Sequence, residues 1–150
     1  MSIPLGVKIT LRDPEDSTKL IHAQFATARS HPELKKLLER CAELDVKESV
    51  AVRRMQLADH RLWEAETEDD ITAAEANLTA LVAARNVVTE QMVAAARDFV
   101  EAGFRFAGAD EEHASWLADR IAMEDLPELK AKCLYGAGAL DFTVTSAGRN

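Results

Sequence analysis

The chain has 150 residues, 18 Lys and Arg against 26 Asp and Glu, a formal net charge of −8, and 47% hydrophobic residues. That length and apolar content suit one domain spanning residues 1–150, and no apolar run is long enough to cross a bilayer. The acidic balance argues against nucleic acid or an anionic membrane surface as partner, because phosphate neutralisation needs a basic face and these cations are scattered among more numerous acids.

The start, Met1-Ser2-Ile3-Pro4-Leu5-Gly6, has no basic region followed by a long apolar segment, so the expected location is cytoplasmic. Residues 6–12 then alternate, with Val7, Ile9 and Leu11 on one side, as a half-buried strand does. Residues 13–18 are turn material. Residues 19–27 admit two readings. Ile21, Ala23 and Phe25 alternate like a strand, while Asp13 as a cap with Pro14 behind it would start a helix carrying Ile21, Phe25 and Ala28. The β-hairpin is preferred, since Thr18 and Thr27 suit strands and six residues make an ordinary connection.

Ser30 followed by Glu33, with Pro32 between them, spells a capping box and a helix start. From there residues 33–102 run for seventy positions without Pro or Gly. In the first half Leu34, Leu37, Cys41, Leu44, Glu48, Ala51, Met55, Ala58, Leu62 and Ala65 fall on one heptad seam. In the second, Ile71, Ala74, Leu78, Leu81, Arg85, Val88, Met92, Ala95, Phe99, Ala102 and Phe106 do the same. The acids and Thr67 at 67–70 supply N-cap chemistry and mark a turn, so the pattern predicts two antiparallel helices, 33–66 and 70–102, in a coiled-coil-like hairpin. Each would be about 50 Å long at 1.5 Å per residue.

Folding back at 67–70 sets Leu62 near Ala74, Ala58 near Leu78, Met55 near Leu81, Leu44 near Met92 and Leu37 near Phe99. Large side chains meet small ones, as close packing requires. The same register places Glu48 beside Val88 and Ala51 beside Arg85, one turn apart. The two charged residues on the seam therefore either pair as a polar layer that holds the register, or snorkel separately to water. Residues 45–49 have the weakest helix propensity and are where a break would fall, although Glu43 and Lys47 support continuity.

Glycines within 103–108 are expected to end the second helix. A third helix starts at Asp110 and runs to about Met123 with Ala114, Leu117, Ala118 and Ile121 inward. Asp125 and Glu128 repeat the capping box for a fourth, to about Tyr135. Gly136 stops it. Residues 140–145 alternate again and are expected to pair with the N-terminal strand, while 146–150 fray. The expected fold class is therefore mainly α (α+β): a long antiparallel helical hairpin, two short helices, and a small sheet from the N- and C-terminal segments.

Chemistry-bearing residues are sparse. His113 lies among Asp110, Glu111, Glu112 and Asp119, but acids at a helix start answer the dipole, and no Glu-x-x-His pair of a helical carboxylate site is present. His22, His31 and His60 have no partner in sequence and are expected at the surface. Cys41 and Cys133 lack metal or disulfide spacing and are expected reduced and inert. No cofactor or metal is expected, and no catalytic motif is present.

Val46, Val50, Leu57 and Trp63 fall off the first helix's seam. A helix with apolar strips on two sides needs a second covering, from the C-terminal helices or from another chain. The expected function is accordingly a non-catalytic interaction or assembly protein, a homo-oligomer joined through that face. In composition and layout, with no motif behind it, the chain resembles small acidic helical proteins found among adaptors and phage morphogenesis factors such as tail-assembly chaperones. The alternative is a small enzyme or ligand-binding protein with a pocket between the short helices and the hairpin, using the acids near His113, Trp116 and Tyr135.

Overall fold

The computed structural model describes residues 6–13, 15–16 and 18–136. Strand β1 (Val7–Arg12) pairs antiparallel with β2 (Leu20–Phe25), with Val7 opposite Phe25 and Arg12 opposite Leu20. Helices α1 (Pro32–Glu64), α2 (Glu68–Phe106), α3 (Glu111–Ala118) and α4 (Leu126–Tyr135) follow, with a 3₁₀ turn at Met123–Asp125 before α4. The preferred β-hairpin reading of 19–27 is the one adopted. Among the described residues the sheet consists of β1 and β2, so it is N-terminal; the expected strand at 140–145 lies outside those residues.

Two Asx turns build the hairpin loop. The Asp13 carboxylate accepts from the Glu15 N–H at 2.9 Å, and the Asp16 carboxylate accepts from the Thr18 N–H at 3.1 Å. The bonds from Thr18 also hold the Asp16 carboxyl below its usual range, its hydroxyl first and its N–H second. The inward side follows the alternation: Ile9, Leu11 and Phe25 are buried, and Thr10 meets His22 on the exposed side.

The described residues form two compact units that share α1 and α2, one within 6–38 and 96–136 and the other Glu39–Ala95. In the first, Phe25 is the centre. Its ring lies edge-on to Phe99 and Phe104 at 5.4 and 5.1 Å between centroids, and all three are fully buried. Each such aromatic pair contributes about 0.5–1.5 kcal/mol beyond its buried area.

Gly103 makes this possible. Expected to stop the helix, it lies inside α2, and a Cβ there would come 1.9 Å from Phe25 Cζ. The glycine costs roughly 0.5–1 kcal/mol of helix stability relative to Ala, which seating the Phe25 ring offsets. The Gly103 carbonyl also accepts from the Ala26 N–H at 2.9 Å, and the Cys133 carbonyl from the Ala28 N–H at 2.8 Å. The chain leaving β2 is thus tied to α2 and then to α4.

The actual stop is Gly108, at φ 116°. Its N–H bonds the Arg105 carbonyl and the next N–H, of Ala109, bonds that of Phe104, the paired pattern of a Schellman end. Other helix ends depart from the capping logic in informative ways. Ser30 does not cap α1: its hydroxyl receives a bond from Thr27 Oγ1, its N–H is taken by the Thr27 carbonyl, and the His31 carbonyl accepts from Leu34 to start the helix at Pro32. Asp125 is already helical at φ −87°, ψ −10°, and its side chain makes no cap bond.

Helix α3 ends at Ala118, short of the expected Met123. Arg120 supplies the reason, because its guanidinium takes the Trp116 carbonyl at 2.8 Å, the acceptor its own amide would need to continue the helix. That amide bonds Leu117 instead, and the turn tightens. Two caps are as read from sequence: Thr67 Oγ1 accepts from the Asp70 N–H at 3.1 Å, and Asp110 from the His113 N–H at 2.7 Å.

The second unit is the hairpin's helix pair. Here α1 passes through residues 45–49 without a break. Cys41, Leu44, Ala58 and Ala95 are buried, while Met55, Leu62, Leu78, Leu81, Val88 and Met92 are half-buried, every one of them on the predicted seam. A pair of helices covers such a seam from one side only.

Candidate interaction surface

The residues proposed from sequence as an interface lie in this second unit and are open to solvent. Val46 is 65% exposed, Val50 44%, Leu57 54% and Trp63 82%. At 3.6 residues per turn Val46, Val50 and Leu57 fall within an arc of about 40°, so they form one stripe along α1. Trp63 lies roughly 100° around the helix from that stripe. The three aliphatics are therefore a common surface, and the indole is a separate exposed group near the end of α1.

Helix α2 adds apolar surface that the heptad reading passed over. Val82, Val87 and Val93 are 36%, 54% and 52% exposed. The signal was available in the charges: between Glu75 and Glu90, Arg85 is the one charged residue among fourteen. Exposed helix faces ordinarily carry more charge than that.

The polar residues on the seam meet differently from the expected pairing. Glu48 Oε2 accepts from Thr89 Oγ1 at 2.9 Å, and the same hydroxyl lies 3.1 Å from the Arg85 carbonyl. Thr89, not Arg85, is the bonded partner of Glu48. The Arg85 Nε is buried without a hydrogen bond. A Thr at the start of its own turn reaches Glu48 with one short, rotamer-poor side chain, whereas Arg85 would have to order a long one.

The residues of the alternative reading are placed as follows. His113 stacks on Trp116 at 5.8 Å between centroids, and the Arg120 guanidinium lies 3.6 Å from the indole centroid as a cation–π contact. With Asp110 and Glu112, His113 and Trp116 line an open depression of about 380 Å³. Tyr135 is not part of it and is 72% exposed on α4. A more enclosed space of about 570 Å³ lies elsewhere, between β1 and α4.

Of the histidines expected at the surface, His31 is instead half-buried, its ring stacked on Phe106 at 5.0 Å. Both cysteines are buried. Burial pushes the Cys133 thiol up to about 11, against which the hydrogen bond the Ala28 backbone offers the sulfur is the smaller effect, so it is a poor nucleophile at neutral pH. No helix among the described residues is long and apolar enough to cross a membrane.

Together these features define a mainly α-helical protein built on an antiparallel helix pair, with a two-stranded sheet and two short helices. No family model matches the chain, and neither a curated protein nor a solved structure matches it.

Proposed function

We propose that the protein is a non-catalytic interaction or assembly protein that self-associates through the outer apolar stripe of the hairpin. The observation that carries this reading is the stripe itself: Val46, Val50 and Leu57 share one side of α1 and are 65%, 44% and 54% exposed. Contiguous apolar surface on a helix is a mark of a binding face. The exposed valines of α2 and its nearly uncharged stretch extend the same character to the second helix. A second helix pair laid against that stripe would bury it by helix-on-helix packing, as in a helix bundle. Two cysteines in 150 residues, without the density of a disulfide framework, fit a reducing, cytoplasmic setting.

Light scattering with chromatography tests the reading. The wild type is expected to run as a dimer or larger, with roughly 1,000 Å² or more buried per interface. Val50→Glu with Leu57→Glu is expected to reduce it to a monomer with unchanged helical circular dichroism. A wild type that stays monomeric at high micromolar concentration sinks the proposal.

A further inference from the structure

The exposed stripe of α1 carries its charges in a polarised order. Glu39 and Glu43, before Val46, and Arg53, Arg54 and Arg61, after Val50, are all exposed. At 3.6 residues per turn all five lie within about 60° of the line through Val46, Val50 and Leu57. Acids therefore occupy one end of the stripe and arginines the other. Glu64 closes the basic end, where its carboxylate is met by the His60 ring at 2.7 Å. Glu43 is met within its own chain by Arg40 at 3.9 Å, a contact between two exposed side chains that holds it only weakly. The face runs from acid through apolar to base over the roughly 33 Å between Glu39 and Arg61.

We infer that a second copy of the chain lies antiparallel on this face, the two α1 helices related by a two-fold axis near Val50, with the acidic end of each seated on the basic end of the other. The inference rests on the self-association proposed above and adds its orientation and the residues that select it. A two-fold contact is isologous, so every pairing occurs twice. An axis at Val50 pairs each position with the one equally far beyond it. Glu39 of one copy then comes opposite Arg61 of the other, Glu43 falls between Arg54 and Arg61, and the aliphatics gather about the axis. A parallel pair would instead set each acid against its own copy and each arginine likewise, an arrangement that like-charge repulsion penalises. Helix α2 could not select an orientation in this way, since between Glu75 and Glu90 Arg85 is its one charged residue.

Sedimentation equilibrium on the full chain tests it. Reversing the acidic end, Glu39→Arg with Glu43→Arg, is expected to weaken the dimer by about tenfold or more, and reversing the basic end, Arg54→Glu with Arg61→Glu, by as much. Combining all four changes restores the pattern with its ends exchanged, so affinity should return to within about threefold of the wild type. Should a reversed variant unfold, distances between spin labels on the otherwise native chain decide. The folded protein is labelled, in which Cys41 and Cys133 are buried. Labels at Arg40→Cys, ten residues from the axis, are expected about 30 Å apart along the helices, and labels at Lys47→Cys about 9 Å apart. Separations that are short and alike at both positions mean a parallel pair and overturn the inference. A dimer indifferent to reversal of either end, or not restored by the fourfold exchange, overturns it as well. Those outcomes leave self-association standing, whereas a monomeric wild type removes both.

Discussion

Thr89 Oγ1 donates to Glu48 Oε2 at 2.9 Å, joining α2 to α1 across 41 residues of sequence. The heptad register places Glu48 beside Val88, and the bond lands on the next residue, so this one contact reports the alignment of the whole helix pair. Thr89→Val is expected to cost about 1.5–3 kcal/mol in urea unfolding, the usual worth of a hydrogen bond to a charged group. A double-mutant cycle with Glu48→Gln should show coupling above a few tenths of a kcal/mol, whereas Glu48→Gln with Arg85→Met should be additive. Coupling confined to the Arg85 cycle would show that solution favours the ion pair over the Thr89 bond.

Leu44 is fully buried on the seam of α1. Leu44→Ala is expected to lower unfolding free energy by about 2–5 kcal/mol, the range for a truncation that leaves a cavity. A loss below about half a kcal/mol would mean that the site collapses freely or is not packed as described.

Gly103→Ala separates two readings of one glycine. Helix propensity alone would make the change stabilising by roughly 0.5–1 kcal/mol. Because the new methyl would overlap the Phe25 ring, the expected result is instead a destabilisation of about 1–3 kcal/mol. Phe25→Leu should relieve part of that loss, so the two changes should be markedly non-additive in thermal melts.

The Cys133 thiol is raised by burial from 9.0 to about 11. The folded state therefore holds this proton more tightly than the unfolded state. Its contribution to stability is fully present below pH 9.0 and is lost as pH rises toward about 11. Cys133→Ala should flatten the alkaline limb of a stability profile over that interval and leave the shape below it unchanged. The native thiol should also resist iodoacetamide at pH 7 until the protein is unfolded.

The fifth expectation is the dissociation of the oligomer by Val50→Glu with Leu57→Glu, and its value lies in the control. Both residues lie off the seam, so Leu44→Glu, which attacks the seam itself, should lose helical content. The paired outer changes should lose association alone. Equal loss of helix in both variants would place the outer stripe in the fold rather than at an interface.

What the sequence determined by itself was whatever depends on near neighbours along one chain. Spacings of three and four are a property of the helix, so the residues from Leu34 to Phe106 that would face inward were readable one by one, and all are buried or half-buried. Thr67 and Asp110 cap because a short oxygen-bearing side chain before a helix meets free amides within three residues. The tertiary structure decided what depends on a partner far away. Gly103 reads locally as a stop, and it becomes an interior helix residue because Phe25, distant in sequence, needs the space a side chain would fill. Ser30 reads as a cap, and the turn led by Thr27 takes its amide and hydroxyl first. Thr89 carries no sign that it bonds Glu48, since a hydroxyl at the margin of the seam, one residue past Val88, is chosen only when two helices close to within hydrogen-bond distance.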